Sequence, residues 1–159
     1  MRLNPGDRAA SFEPRYGGPI EKAGTRWTLL IFWKTSCSTC EVTFPYLEVL
    51  ARAYPDLVTC LSVVQGTDEA TGANVARQWG ATFAVIADLA PYPLSYAYDP
   101  SATPTMFLID NRTGDIEDVL EACIKAELNQ LSAKIARSDG RSAVEIAPKG
   151  DGNPSWTPG

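Results

Sequence analysis

The spacing of apolar residues changes period several times along the chain. "WTLLIFW" (27–33) is a continuous apolar run preceded by turn signals. That pattern predicts a strand buried on both faces. From 38 to 54 the spacing becomes helical, with Val42, Tyr46, Val49, Leu50 and Ala53 on one face. Pro45 is expected to kink this helix, and Pro55 follows its end. "LVTCLSVV" (57–64) predicts a second buried strand, "DEATGANVARQW" (68–79) a helix ending at Gly80, and "FAVIAD" (83–88) a third strand. "PLSYAYDP" holds one short helix. "TMFLID" (105–110) and "DIEDVLEAC" (115–123) read as strands joined by "NRTG", which has hairpin-turn chemistry. "KAELNQLSAKIARS" (125–138) is a closing helix.

The order β-α-β-α-β, then β-β-α, predicts an α/β sandwich. Its sheet is parallel in the first part and antiparallel in the last hairpin. Before the first strand, "GGPIEKAG" (17–24) reads as a turn and a short edge hairpin. Residues 139–159 are rich in Gly and Pro, with one Trp, and read as a surface-hugging or loose tail. No internal repeat is visible.

Composition narrows the function classes. A chain of 159 residues fits one domain and can bury a core without staples. The net charge is −5 and no basic run exists, which argues against a nucleic-acid surface. No apolar stretch approaches the ~18 residues of a transmembrane helix. The start, "MRLNPGDRAASFEP", lacks an apolar signal core. The expected location is therefore extracytoplasmic or periplasmic if a leader has been removed, and cytoplasmic otherwise. Histidine is absent, which removes the commonest metal ligand and the usual base near neutral pH. Glu41 follows Cys40, so the C-x-x-C-H haem motif is absent too.

Four cysteines remain: Cys37, Cys40, Cys60 and Cys123. Only the first two are neighbours, which is too sparse for a disulfide scaffold. Cys37 falls at the mouth of the first helix and Cys40 one turn in. Residues three apart there share a face, so their sulfurs can reach bonding distance. The free N–H groups and positive dipole end favour thiolate at Cys37. Cys40 is expected to be more buried. In that reading the first sulfur attacks a substrate disulfide and the second resolves the mixed disulfide. Two other readings stay open on the residues alone. A zinc half-site would need about four ligands, and Cys60 and Cys123 are the only other thiols. Two merely structural cysteines would also fit, since free cysteine is often buried.

"TLLIFWKTSCSTCEVTFPYLEVL" resembles the strand, active site and helix of the thioredoxin superfamily, most closely the bacterial TlpA/ResA-type thiol–disulfide oxidoreductases. "SYAYDPSATPTMFLIDNRTGDI" is similar to that branch's segment carrying a cis-proline before a strand and hairpin. The resemblance covers roughly residues 3–137 and is consistent with one domain. It implies a thioredoxin-like three-layer sandwich, with a central mixed sheet, helices on both faces and an N-terminal hairpin extension. Residues 1–138 would form that domain and 139–159 a Gly/Pro-rich tail. Pro104 would be cis beside the Cys37–Cys40 pair, leaving the Thr103 backbone to pair with an extended substrate. The implied activity is thiol–disulfide exchange on a protein dithiol or disulfide, with a redox partner protein, no bound cofactor and no metal.

Three positions depart from the family pattern. Ser36 stands where many members have Trp before the first Cys. Ile31 stands where many thioredoxins carry a buried Asp, and Thr43 where the ResA type has Glu. Lys34, Ser38, Thr39 and Glu41 remain as possible modulators. Lys34 would lower a thiol pKa by charge or simply be solvated. The Ser38 and Thr39 hydroxyls would bond the thiolate or cap the helix. Glu41 fits the helix's first turn. Cys123 is either a third redox thiol or a core residue, and Cys60, Trp33, Phe44 and Tyr46 read as core or rim. Two rival functions are a peroxiredoxin-type thiol peroxidase and a thioredoxin-fold binding module with weak redox turnover. The peroxidase pattern P-x-x-x-T-x-x-C fails. Counting back from Cys37 it meets Lys34 and Leu30, and from Cys40 it meets Cys37 and Trp33.

Overall fold

A computed structural model describes residues 1–10 and 24–159. The edge hairpin expected at "GGPIEKAG" lies, apart from Gly24, outside the described residues. Strand β1, Trp27–Trp33, is buried along its whole length. Trp27, Leu29, Ile31 and Trp33 face one core, while Leu30 and Phe32 face another. Both faces of this strand are covered, which is why its sequence is a continuous apolar run rather than an alternation.

Strands β2 (Val58–Gln65) and β3 (Ala84–Asp88) extend the sheet in parallel on one side of β1. Strands β4 (Thr105–Asp110) and β5 (Asp115–Glu121) extend it antiparallel on the other. The order is β3-β2-β1-β4-β5. Helices α1 (Ser38–Ala53), α2 (Glu69–Gln78) and α4 (Lys125–Arg137) send Leu47, Ala76 and Leu131 into the first core. Helix α3 (Pro93–Tyr98) sends Leu94 and Tyr98 into the second, joined by Leu3, Ala9 and Ala10. This is a three-layer α/β sandwich.

The face expected for α1 needs correction at one edge. Of the expected face of α1, Tyr46 and Leu50 are buried and Val42 and Ala53 pack on the core, but Val49 is 43% exposed, and burial extends to Thr39, Cys40, Thr43, Phe44, Leu47 and Glu48. Small polar side chains occupy part of the inward stripe, so the apolar letters mark only one side of it and take in Val49 wrongly. Pro45 is exposed, and α1 continues past it to Ala53. Pro45 therefore does not end the helix, although it removes the bond to the Glu41 carbonyl.

Residues 139–159 are pinned rather than loose. Ile146 and Ala147 join the first core. Asn129 on α4 accepts from the Ile146 and Ala147 amides (3.0 and 2.9 Å) and donates to the Ala147 carbonyl (2.9 Å). The Tyr54 hydroxyl accepts from the Val144 amide at 2.8 Å. Further on, β7 (Trp156–Thr157) pairs antiparallel with β6 (Cys123–Ile124).

Candidate active site

Between β1 and α1 the chain makes a tight turn in which the Cys37 amide donates to the Lys34 carbonyl at 3.2 Å. Cys37 is the N-cap of α1, with extended backbone (φ −95°, ψ 104°), and its sulfur accepts from the Cys40 amide at 3.0 Å. Sulfur thus fills the capping role that Ser or Asp oxygen usually fills. Cys37 and Cys40 form a disulfide with a Cα–Cα distance of 5.2 Å, inside the usual bridging range. Cys37 is half-buried, and Cys40 is fully buried.

The Thr103–Pro104 peptide is cis. The Thr103 carbonyl oxygen lies 3.3 Å from Cys37 Sγ. In the disulfide that sulfur has no hydrogen, so this is a contact; in the dithiol the Cys37 thiol can donate across it. Pro104 is buried, and its carbonyl accepts from the Ala122 amide at 3.0 Å. The loop is therefore tied to the end of β5 as well as facing the dithiol.

The remaining candidates separate. Lys34, Ser38 and Glu41 are exposed. The Glu41 amide donates to the Cys37 carbonyl at 3.2 Å. Thr39 is only 6% exposed, and its hydroxyl donates to the Pro158 carbonyl rather than to either sulfur or a helix-capping position. Thr43 is sealed, and its hydroxyl donates to the Thr39 carbonyl at 2.6 Å. Ile31 is sealed in the core. Neither position where relatives place a carboxylate supplies one here.

Cys123 is fully buried. Burial raises its thiol pKa, partly offset by the Thr43 hydroxyl beside it. Burial and the nearby Glu48 charge push Cys60 up to about 12. Both are protonated core thiols. Trp33 and Phe44 are core residues, and Tyr46 is buried with its hydroxyl on Asp151. Among the described residues, no group of three or more Cys, Asp or Glu side chains is placed to hold a metal ion, and no helix is long and apolar enough to cross a membrane.

Sequence reasoning missed two features. One is a polar clamp built on Lys125. Its buried ammonium donates to the Pro148 carbonyl (2.9 Å), the Asn153 carbonyl (2.9 Å) and Asp151 Oδ1 (2.6 Å). The Lys125 and Tyr46 hydrogen bonds hold the Asp151 carboxyl down at about 2. The other is a cleft of about 460 Å³ lined by Lys34, Gln65, Gly66, Tyr92, Ser95 and Tyr96. It shares Lys34 with the turn that presents Cys37. No local motif marks either one, since each gathers side chains distant in sequence.

A five-stranded mixed sheet with a helix-capping C-x-x-C disulfide facing a cis-proline loop defines a thioredoxin-like protein. The sequence is 31% identical over 99 residues to the thiol-disulfide oxidoreductase ResA of Geobacillus kaustophilus, covering 62% of this chain and 56% of that relative. The ResA of Geobacillus thermodenitrificans matches over the same shares. The chain thus spans little more than half the length of these curated relatives. Among solved structures, one from Chlorobium tepidum, proposed to be the thiol:disulfide interchange protein DsbE, superimposes with a TM-score of 0.70. It is 25% identical, and the match covers 86% of this chain and 98% of that one. StoA of Bacillus subtilis gives a TM-score of 0.55 at 26% identity, over 68% of this chain and 80% of its own. No protein-family model matches the chain. The chain has the thioredoxin-like fold, and its relatives are ResA-type thiol–disulfide oxidoreductases.

Proposed function

We propose that this chain is a thiol–disulfide oxidoreductase that reduces or exchanges disulfides of protein substrates. The observation that carries the reading is the unequal pair: Cys37 half-exposed at the helix tip and Cys40 fully buried one turn in. Cys37 is the attacking sulfur, because a substrate can reach it. Its thiolate attacks one sulfur of the substrate disulfide, forming a mixed disulfide and expelling the other substrate sulfur as thiolate. The Cys40 thiolate then attacks Cys37, closing the 37–40 disulfide and releasing the second substrate thiolate. Two electrons pass from protein to substrate, and a redox partner protein returns them. Pro104 shapes the loop beside the pair, and the Thr103 backbone pairs with an extended substrate segment. Lys34, Ser38, Thr39 and Glu41 surround the dithiol and are the candidate modulators of it. The thioredoxin-like unit is residues 1–138, with 139–159 appended to it.

The test uses insulin reduction and mixed-disulfide trapping. Cys37→Ser abolishes turnover, and Cys40→Ser accumulates mixed disulfides. A Cys37→Ser protein reducing insulin at the wild-type rate refutes the proposal. Thr43 and Ile31, standing where a proton-managing carboxylate would be, favour a second reading: a binding module with little redox turnover. A 37–40 disulfide that does not form and break reversibly in a redox titration selects that reading.

A further inference from the structure

Residues 155–159 lie beside the dithiol, against Thr39 and the Thr103 loop. They include β7, which pairs with β6 in the register Cys123↔Thr157 and Ile124↔Trp156. The Lys125 amide donates to the Ser155 carbonyl at 3.0 Å. Pro158 then offers its carbonyl to Thr39, which lies between the two cysteines. At Gly159 a β-carbon would stand 3.1 Å from the Thr103 carbonyl oxygen and 3.2 Å from Ala102 Cβ. That same Thr103 oxygen faces Cys37 Sγ at 3.3 Å. One short segment therefore covers two groups flanking the reactive sulfur.

Resting on the oxidoreductase reading above, we propose that residues 155–159 form an intrachain strap. It occupies the place an extended substrate segment takes on the Thr103 side of the dithiol, and a peptide disulfide must lift it to react. The strap carries no thiol, so it can occupy the site without being turned over. Its two ends are held unequally. Residues 144–153 are fixed by Tyr54, Asn129 and the buried Lys125. Beyond them Ser155, Trp156 and Pro158 are exposed, Trp156 by 58%. A segment on few hydrogen bonds past a firm anchor opens locally without global unfolding. Occupation lowers apparent substrate affinity by the fraction of molecules in the open form. Small reagents reach the half-exposed Cys37 without that tax.

The experiment compares two probes in a Cys40→Ser background, full length and ending at Asn153. One probe is an extended peptide whose single cysteine is disulfide-bonded to thionitrobenzoate; the other is the small symmetric reagent dithiobis(nitrobenzoate). In both, the Cys37 thiolate bonds to sulfur and thionitrobenzoate leaves with the electron pair. Shortening the chain is expected to raise the second-order rate with the peptide roughly fivefold to thirtyfold, the bias that one or two net hydrogen bonds give an opening equilibrium. The small-reagent rate should stay within about twofold. A folded short chain with an unchanged peptide rate, or with both rates raised equally, overturns the strap. If the short chain fails to fold, amide exchange on the full-length protein decides. Trapping the peptide on Cys37 should speed exchange of the Lys125 amide at least tenfold, and unchanged protection overturns the proposal. Release from neither probe by any variant sinks the oxidoreductase reading and the strap with it; normal release without the expected difference sinks the strap alone.

Discussion

Phe44 lies one turn past Cys40, and its removal tests what holds the dithiol helix in place. The ring is fully buried. It meets Trp33 at 4.8 Å, Phe83 at 5.2 Å and Trp79 at 5.4 Å between centroids, all edge-on. Those partners come from β1 and from the segments on either side of Gly80, so this ring ties α1 to the sheet and to the end of α2. Pro45 next to it supplies no amide to α1, so the first turn leans more on packing. Phe→Ala in a core costs about 3–5 kcal/mol. With three aromatic pairs at roughly 0.5–1.5 kcal/mol each, the upper half of that range is expected. Phe44→Leu restores most of the volume but none of the three ring pairs, so it should cost about 1.5–3 kcal/mol, less than alanine. Urea unfolding with the 37–40 disulfide intact measures both. An alanine variant within 1 kcal/mol of wild type, or a leucine variant as stable as wild type, would refute the argument that edge-on packing at this ring fixes the helix.

Two further outcomes follow from the packing. Glu48 is 6% exposed and accepts from the Thr82 amide at 2.9 Å and from the Thr82 hydroxyl. Burial raises its carboxyl pKa, but the Thr82 bonds and Arg52 outweigh this, leaving it below its ordinary value of 4.5. A depressed folded pKa contributes stability above that value and loses it as pH falls through the folded pKa. The stability gap between wild type and Glu48→Gln should therefore shrink as urea unfolding is repeated from pH 6 down to pH 3, and a constant gap contradicts the assignment. Gly72→Ala should destabilise, although alanine is the better helix former by about 1 kcal/mol. Its β-carbon would stand 2.8 Å from Val64 Cγ1 and 3.1 Å from Val85 Cγ1, and β-branched side chains cannot turn away freely. A net loss of about 1–2 kcal/mol is expected from overpacking, and a higher melting temperature would show that the sheet yields instead.

The parts of this fold legible in the sequence are those whose causes are local. The run at 27–33 announces a doubly covered strand, and the strand "TMFLID" matches β4 at both ends. Cys37 and Cys40 are readable because helix geometry alone brings their side chains together. The face of α1 is legible only in part, for a physical reason. Burial there falls on Thr39, Cys40 and Thr43, whose letters are only weakly apolar, because β6 and the tail cover them. The tail follows the surface-hugging one of its two readings, and what pins it is illegible for the complementary reason. Glycine and proline predict a chain with little order of its own, and residues 139–159 do lack long elements. Their order comes from Lys125, Asn129 and Tyr54, whose partners lie many residues away.

That difference bears on how access to the dithiol is set. Local geometry sets Cys37 at the helix tip with Cys40 one turn in, and tertiary packing seals Cys40. What approaches Cys37 is decided by non-local contacts. On one flank lie the Thr103 carbonyl and the segment that ends at Gly159. On the other, the Lys34 carbonyl that holds the Cys37 amide belongs to a residue lining the cleft with Tyr92 and Tyr96. A change in the turn itself, at Cys37 or Cys40, alters the chemistry for every substrate alike. On the proposed reading, a change in the segment that ends at Gly159 shifts rates with extended disulfides more than with small ones, so the two probes separate the two kinds of effect.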